Sequence, residues 1–355
     1  MTEQLANSLD DLKLIEQLLD KAIPNYRKAY SDRSAWLMAC LSELAYIKFN
    51  PLFSSEQQQQ AFIDLSNRLL KSKKSKLISE LIAMGSYDPE VEKKHLLEQL
   101  KVIRMSLIEP TFDKDGTQAI LVEFSDHIVL AFRGTEATSI KDIKSDAKAK
   151  SIPCPSGGRI HQGFSQAFDT VCLSIQTELK KESVASKPLF ITGHSLGGAL
   201  ATIAAKKLVH KAGIAACYTF GSPRVGDETW VSGMKTPLYR VVNAADCVTM
   251  LPPDQDMMTV LSWLIRLIPV VGKQWHKWIL ATFGGYYHGG DMKYLTNCPP
   301  GDFKDVELIY YVSGFYRMKA VIYKKLPWKT FLSDHSISVY RKKLQIIAAK
   351  RNDIK

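Results

Sequence analysis

The 355-residue sequence predicts an α/β protein in which a mainly parallel sheet carries helices on both faces, preceded by an N-terminal helical region. Three observations predict it. Apolar runs of strand length follow one another after residue 116. Stretches of helical periodicity separate the later runs, which favours parallel strands joined by crossover helices. The composition, 46% hydrophobic and 23% charged, is that of a chain with a sizeable core and excludes a disordered one.

The elements follow in order. Residues 9–20 (LDDLKLIEQLLD) space Leu and Ile three and four apart. Residues 33–48 form a second expected helix with Trp36, Leu37, Leu41 and Leu44, closed by Pro51. Ser55 and Gln58 make a capping-box start for a third, through Leu70, and a fourth covers 89–105. This N-terminal part, residues 1–105, carries no chemistry that the sequence identifies. From residue 106 onward the pattern changes. Residues 117–124 and 127–132 read as two strands joined by a turn at Ser125-Asp126. Residues 188–192, 214–220 and 238–243 read as three more, with helices expected over 162–181 and 197–211. Residues 257–283 are apolar and rich in tryptophan (Trp263, Trp275, Trp278), but Arg266, Pro269 and Gly272 interrupt them. A spanning helix needs about twenty uninterrupted apolar residues, so no transmembrane segment is assigned. The stretch at about 255–283 is expected as an insertion that either meets a membrane interface or folds over the core.

The net charge is +11, and residues 301–355 hold twelve Lys or Arg against five Asp or Glu. No zinc-finger spacing or RNA-recognition aromatics accompany these charges, which argues against nucleic acid. Peripheral contact with an anionic membrane, or a solvated basic face, remains. The six cysteines form no CxxC pair and no dense framework, so neither a metal site nor a disulfide scaffold is expected. The start of the chain is polar and acidic and lacks the basic and apolar parts of a secretory signal. The expectation is synthesis in the cytosol without that export route, with a cytoplasmic or peripheral membrane location; signal-less secretion is also open.

The sharpest motif is Gly193-His194-Ser195-Leu196-Gly197, which follows the apolar run 188–192 and opens the helix 197–211. A GxSxG sequence in that setting is a nucleophile elbow: the serine sits on a tight strand-to-helix turn, small flanking residues let the turn close, and the helix N-terminus directs amides toward developing negative charge. Ser195 is therefore the expected nucleophile. The backbone amide of Leu196 is one expected oxyanion donor. A serine needs a histidine base, and the histidine a carboxylate, in the chain order Ser, Asp or Glu, His. Asp246, just past the strand 238–243, is the chosen acid, with Asp227 and Asp254 as competitors. His276, His288 and His335 are the histidines that follow it.

Several blocks together resemble the class 3 lipase family: VLAFRGT (Val129 to Thr135), HQGF (His161 to Phe164), ITGHSLGGALA (Ile191 to Ala201), YTFGSPRVGD (Tyr218 to Asp227), RVVNAADCVTMLPP (Arg240 to Pro253) and YYHGGDMKY (Tyr286 to Tyr294). The resemblance covers residues 117–340 and implies an α/β-hydrolase fold with a catalytic domain over 106–355. It also places the acid at Asp246, a second oxyanion donor at Thr135, and the base at His335 in an Asp334-His335 pair followed by Tyr340. His288 stays as the alternative base. Arg133 is expected as a structural partner, His161 and His194 as satisfied histidines, and residues 136–152 as a lid helix or a static surface helix. The implied activity is that of a serine ester hydrolase on glycerolipids through an acyl-serine, without metal or organic cofactor. Phospholipase A1 or acyltransferase activity on membrane lipid is the variant, and a catalytically silent lipase-like binding or signalling module is the rival.

Overall fold

A computed structural model describes residues 4–20, 29–49, 67, 88–134, 151–252, 285–313, 316–317 and 333–353. The chain begins with helices α1 (Leu9–Asp20), α2 (Asp32–Leu44) and α3 (Pro89–Val102). Ser31 caps α2 by accepting from the Ser34 amide, and Asp88 caps α3, with Pro89 in its first turn. The expected helix from Ser55 to Leu70 and the apolar stretch 257–283 lie outside the described residues, Asn67 apart.

Strands β1 (Ser106–Lys114), β2 (Thr117–Glu123) and β3 (Ile128–Phe132) follow, then a short hairpin of β4 (Ser151–Pro153) and β5 (Arg159–His161). Next come α4 (Gln162–Glu178), α5 (Glu182–Ala185), β6 (Leu189–His194), α6 (Leu196–Lys207), β7 (Ile214–Phe220), α7 (Glu228–Ser232) and β8 (Leu238–Asn243). The last elements are β9 (Asp291–Leu295), β10 (Leu308–Ile309) and α8 (Ile337–Arg351). Among the described residues the main sheet runs β1-β2-β3-β6-β7-β8-β9-β10. Its centre, from β3 through β9, is parallel, and its edges are antiparallel. This is the α/β-hydrolase arrangement.

Side chains alternate across a strand, and here both sides are dry. From β3, Val129 and Ala131 enter a core with α1, α2, α3 and α8, while Ile128, Leu130 and Phe132 enter the opposite core with α4 and α6. The same split divides Ile120 from Leu121 on β2 and Phe190 from Ile191 on β6. Burial on both faces is why these strands read as unbroken apolar runs instead of alternating ones.

The N-terminal helices therefore cover one face of the sheet. Every residue of α2 from Ser34 to Leu44 is buried, and α2 lies between β6 and α8: Ser42 Oγ is 2.9 Å from Thr192 Oγ1 on β6, and Glu43 pairs with Arg341 on α8. Leu37 is fully buried in this layer. Leu37→Ala is expected to destabilise the fold by about 2–5 kcal/mol, read as a lower denaturant midpoint, because the cavity left inside a closed layer cannot collapse.

Candidate active site

Ser195 stands between the last residue of β6 and the first of α6 with φ +57° and ψ −128°. A non-glycine residue held there costs about 1–3 kcal/mol and persists only where its surroundings enforce it. The enforcement is local. The Ser195 amide donates to Phe220 O on β7 at 2.9 Å, and α6 starts at once. A Cβ on Gly193 would run into the Gly197 backbone, and one on Gly197 into Phe132 and Arg133. The two flanking glycines are what let strand, turn and helix approach this closely.

Parallel strands end on the same side of a sheet, so β6 and β8 present their C-terminal loops together. The loop after β8 carries Asp246 and the N-terminal approach to α8 carries His335. His335 Nε2 lies 2.9 Å from Ser195 Oγ, and His335 Nδ1 lies 2.9 Å from Asp246 Oδ2. Asp246 Oδ1 accepts the Val248 amide at 2.9 Å and Oδ2 accepts the Tyr340 hydroxyl at 2.6 Å. With these donors already on it, the carboxylate is an acceptor toward the His335 Nδ1–H, which leaves the Nε2 lone pair facing the serine. Burial, and next the charge of Asp246, push the Tyr340 phenol well above its ordinary range, so it stays a donor. Tyr340 also accepts the Asn243 amide at 2.9 Å, tying α8 to the end of β8. The Arg317 guanidinium donates to Asp246 O at 2.9 Å and to Thr249 Oγ1, pinning the acid's loop from behind.

The Leu196 amide begins α6, where the first amides have no intrahelical acceptor, and it follows the nucleophile directly. Thr135 lies outside the described residues, as do positions 136–150 of the expected lid. Arg133 donates to the Gln118 side chain. Ser195, Asp246 and His335 are respectively 0%, 0% and 5% exposed.

The competing residues stand elsewhere. His288 Nε2 donates to Thr249 O at 2.6 Å, and it is His335, not His288, that reaches Ser195 Oγ. Asp227 caps α7 by accepting the Trp230 amide at 2.8 Å. Asp254 and His276 lie outside the described residues. His161 caps α4 and stacks on Phe164 at 3.8 Å between centroids. His194 Nε2 is 2.6 Å from His335 O, and its Nδ1 is 2.8 Å from the Tyr46 hydroxyl. Sequence reasoning missed Tyr46 and Arg317, since an apolar helix end and an isolated arginine carry no motif.

Burial first, then neighbouring cations for His288 and the His335 ring for His194, hold both histidines well below the usual imidazole range. A histidine whose folded value is depressed takes up no proton while its unfolded counterpart does. Stability is therefore present above the unfolded value of about 6.5 and is lost as pH falls from there toward the folded value, by about 1 kcal/mol per pH unit for each ring. Denaturant midpoints at pH 7 and pH 5.5 should fall accordingly, and His288→Gln should show the smaller fall.

Residues 129–256 match the family described as lipase (class 3). A secreted mono- and diacylglycerol lipase of Fusarium solani is 37% identical over 110 residues, covering 29% of this chain and 33% of that protein. The secreted mono- and diacylglycerol lipase MDL3 of Malassezia globosa is 31% identical over 175 residues, 43% of this chain and 57% of that one. The chain thus spans from a third to just over half of these relatives' length. Among solved structures, lipase II from Rhizopus niveus aligns with a TM-score of 0.45 at 20% identity, over 79% of this chain and 94% of that one.

Proposed function

We propose that this chain, of class 3 lipase type across residues 129–256, is a serine carboxylic-ester hydrolase that cleaves acyl esters of glycerolipids. The observation that carries the reading is the unbroken chain of contacts from Ser195 Oγ through His335 to Asp246, each step 2.9 Å. The relatives named as mono- and diacylglycerol lipases support glycerol esters as the substrate class.

In this mechanism Ser195 Oγ attacks the acyl carbonyl carbon while His335 Nε2 takes its proton. The carbonyl π pair moves to oxygen, and the oxyanion accepts the Leu196 amide, with Thr135 as the proposed second donor. Asp246 holds the imidazolium through Nδ1. The C–O bond of the ester then breaks, the alcohol leaves with the proton from His335, and an acyl-serine remains. Water gives a proton to the same nitrogen, attacks the acyl carbon, and releases the fatty acid with Ser195 restored. All electrons and protons are accounted for by these residues and water.

The test is labelling with a fluorophosphonate, with and without lipid micelles, followed by hydrolysis of p-nitrophenyl esters of rising chain length and of mono-, di- and triacylglycerols. Labelling at Ser195 with turnover of glycerol esters is the expected result. A folded protein that neither labels nor turns over any ester under either condition overturns the reading.

A further inference from the structure

The His194 ring contacts the Tyr46 hydroxyl through one nitrogen and the His335 backbone through the other. Its Nε2 faces the carbonyl oxygen of His335, which can only accept, so Nε2 carries the hydrogen. In the neutral ring Nδ1 is then an acceptor, and the partner at Nδ1 is the hydroxyl of Tyr46 at 2.8 Å. The Tyr46 O–H therefore donates to His194, and His194 donates to the backbone of the very residue whose side chain touches Ser195. The two imidazoles lie 4.5 Å apart between centroids.

Tyr46 comes from the turn that ends α2, well before the family-matched residues. Its position is constrained on three sides. Helix α2 is fastened to the nucleophile strand at Thr192, whose Oγ1 lies 2.9 Å from Ser42 Oγ and 3.2 Å from Met38 O. It is fastened to α8 through Glu43 and Arg341. The Tyr46 ring end also abuts Gly134 in the turn leading to Thr135, where an added Cβ would meet both the Tyr46 hydroxyl and His194 O.

Resting on the serine-hydrolase reading above, we infer that Tyr46 is a positioning residue for the base: by donating to His194 it fixes that ring as the Nε2–H tautomer, and the His194-to-His335 hydrogen bond then sets the place of the imidazole against Ser195. Without the hydroxyl, Nδ1 loses its donor and the Nε2–H tautomer is favoured by the His335 carbonyl alone, so its lead narrows. The fraction in the opposite tautomer presents a lone pair to that carbonyl oxygen; the two repel, and the backbone at His335 shifts against Ser195. Loss of transition-state geometry appears in kcat, whereas ground-state ester binding is untouched.

Tyr46→Phe removes one oxygen and keeps the ring. Its kcat on p-nitrophenyl esters should fall roughly tenfold while KM stays within about twofold, and its melting temperature should stay near that of the parent. In a His194→Gln background the same change should have no further effect on kcat, since Tyr46 acts through that ring. Nitrogen-15 spectra should show His194 as the Nε2–H tautomer in the parent and a mixture in Tyr46→Phe. These spectra need no turnover, so they also decide the matter if His194→Gln fails to fold. An unchanged kcat in Tyr46→Phe, an equal loss in both backgrounds, or an Nδ1–H tautomer in the parent would each overturn the inference. A parent that hydrolyses no ester overturns the hydrolase reading instead, with the tautomer result standing separately.

Discussion

Replacing Ser195 by alanine should lower kcat on a soluble ester by about 10⁴-fold or more and abolish fluorophosphonate labelling, and His335→Ala should cost about as much. The two groups transfer one proton between them across 2.9 Å, so removing either leaves the other without a task, and the double variant should be no worse than its worse parent. His288→Ala is the control. That imidazole hydrogen bonds to Thr249 O and not to Ser195 or Asp246, so its loss should change kcat by less than roughly tenfold. Steady-state kinetics on the four proteins checks this directly. A severe loss in His288→Ala with a mild one in His335→Ala would reverse the assignment of the base.

The second large effect is expected at Asp246. Asp246→Asn keeps the shape of the side chain but replaces one acceptor oxygen by an NH₂ donor. The carboxylate accepts from Val248 N, the Tyr340 hydroxyl and His335 Nδ1, and an amide has only one oxygen to offer. If its oxygen keeps Val248, the NH₂ faces His335 and stabilises the tautomer with hydrogen on Nε2, which cannot take the serine proton. A fall in kcat of about 10⁴-fold follows from the tautomer alone. Tyr340→Phe should be much milder, because it removes one donor and leaves the carboxylate intact. Finding that Asp246→Asn turns over as fast as the parent would show that the base needs no acceptor at Nδ1.

Much of this site is legible in the sequence alone. The elbow is a local device whose glycines, strand and helix are contiguous in sequence, so Ser195 and Leu196 announce themselves. Asp246 is legible because strand ends are where chemistry collects, and because its block resembles a known family's. Chain order leaves His276, His288 and His335 eligible, and it is the resemblance that singles out His335; the contact itself, made on the approach to α8, belongs to three dimensions. The strands β2, β3, β6, β7 and β8 read as apolar runs because both faces are covered. Strand β1 did not, since it lies at the sheet edge with Pro110 and mostly exposed side chains. Helix α8 escaped for a different reason: Arg341 and Lys343 are buried with charged heads satisfied by Glu43 and by Asn243 Oδ1 at 2.6 Å, so its inward face does not look apolar. Helix α2 was visible as a helix, but its burial on all sides was not, because periodicity reports one partner and this helix has several.

The buried pair of Glu43 with Arg341 joins residues 298 positions apart, and His335 stands just ahead of the helix that this pair anchors. The place of His335 beside Ser195 therefore depends on a contact between segments remote in sequence, and not on the local turn that presents the serine.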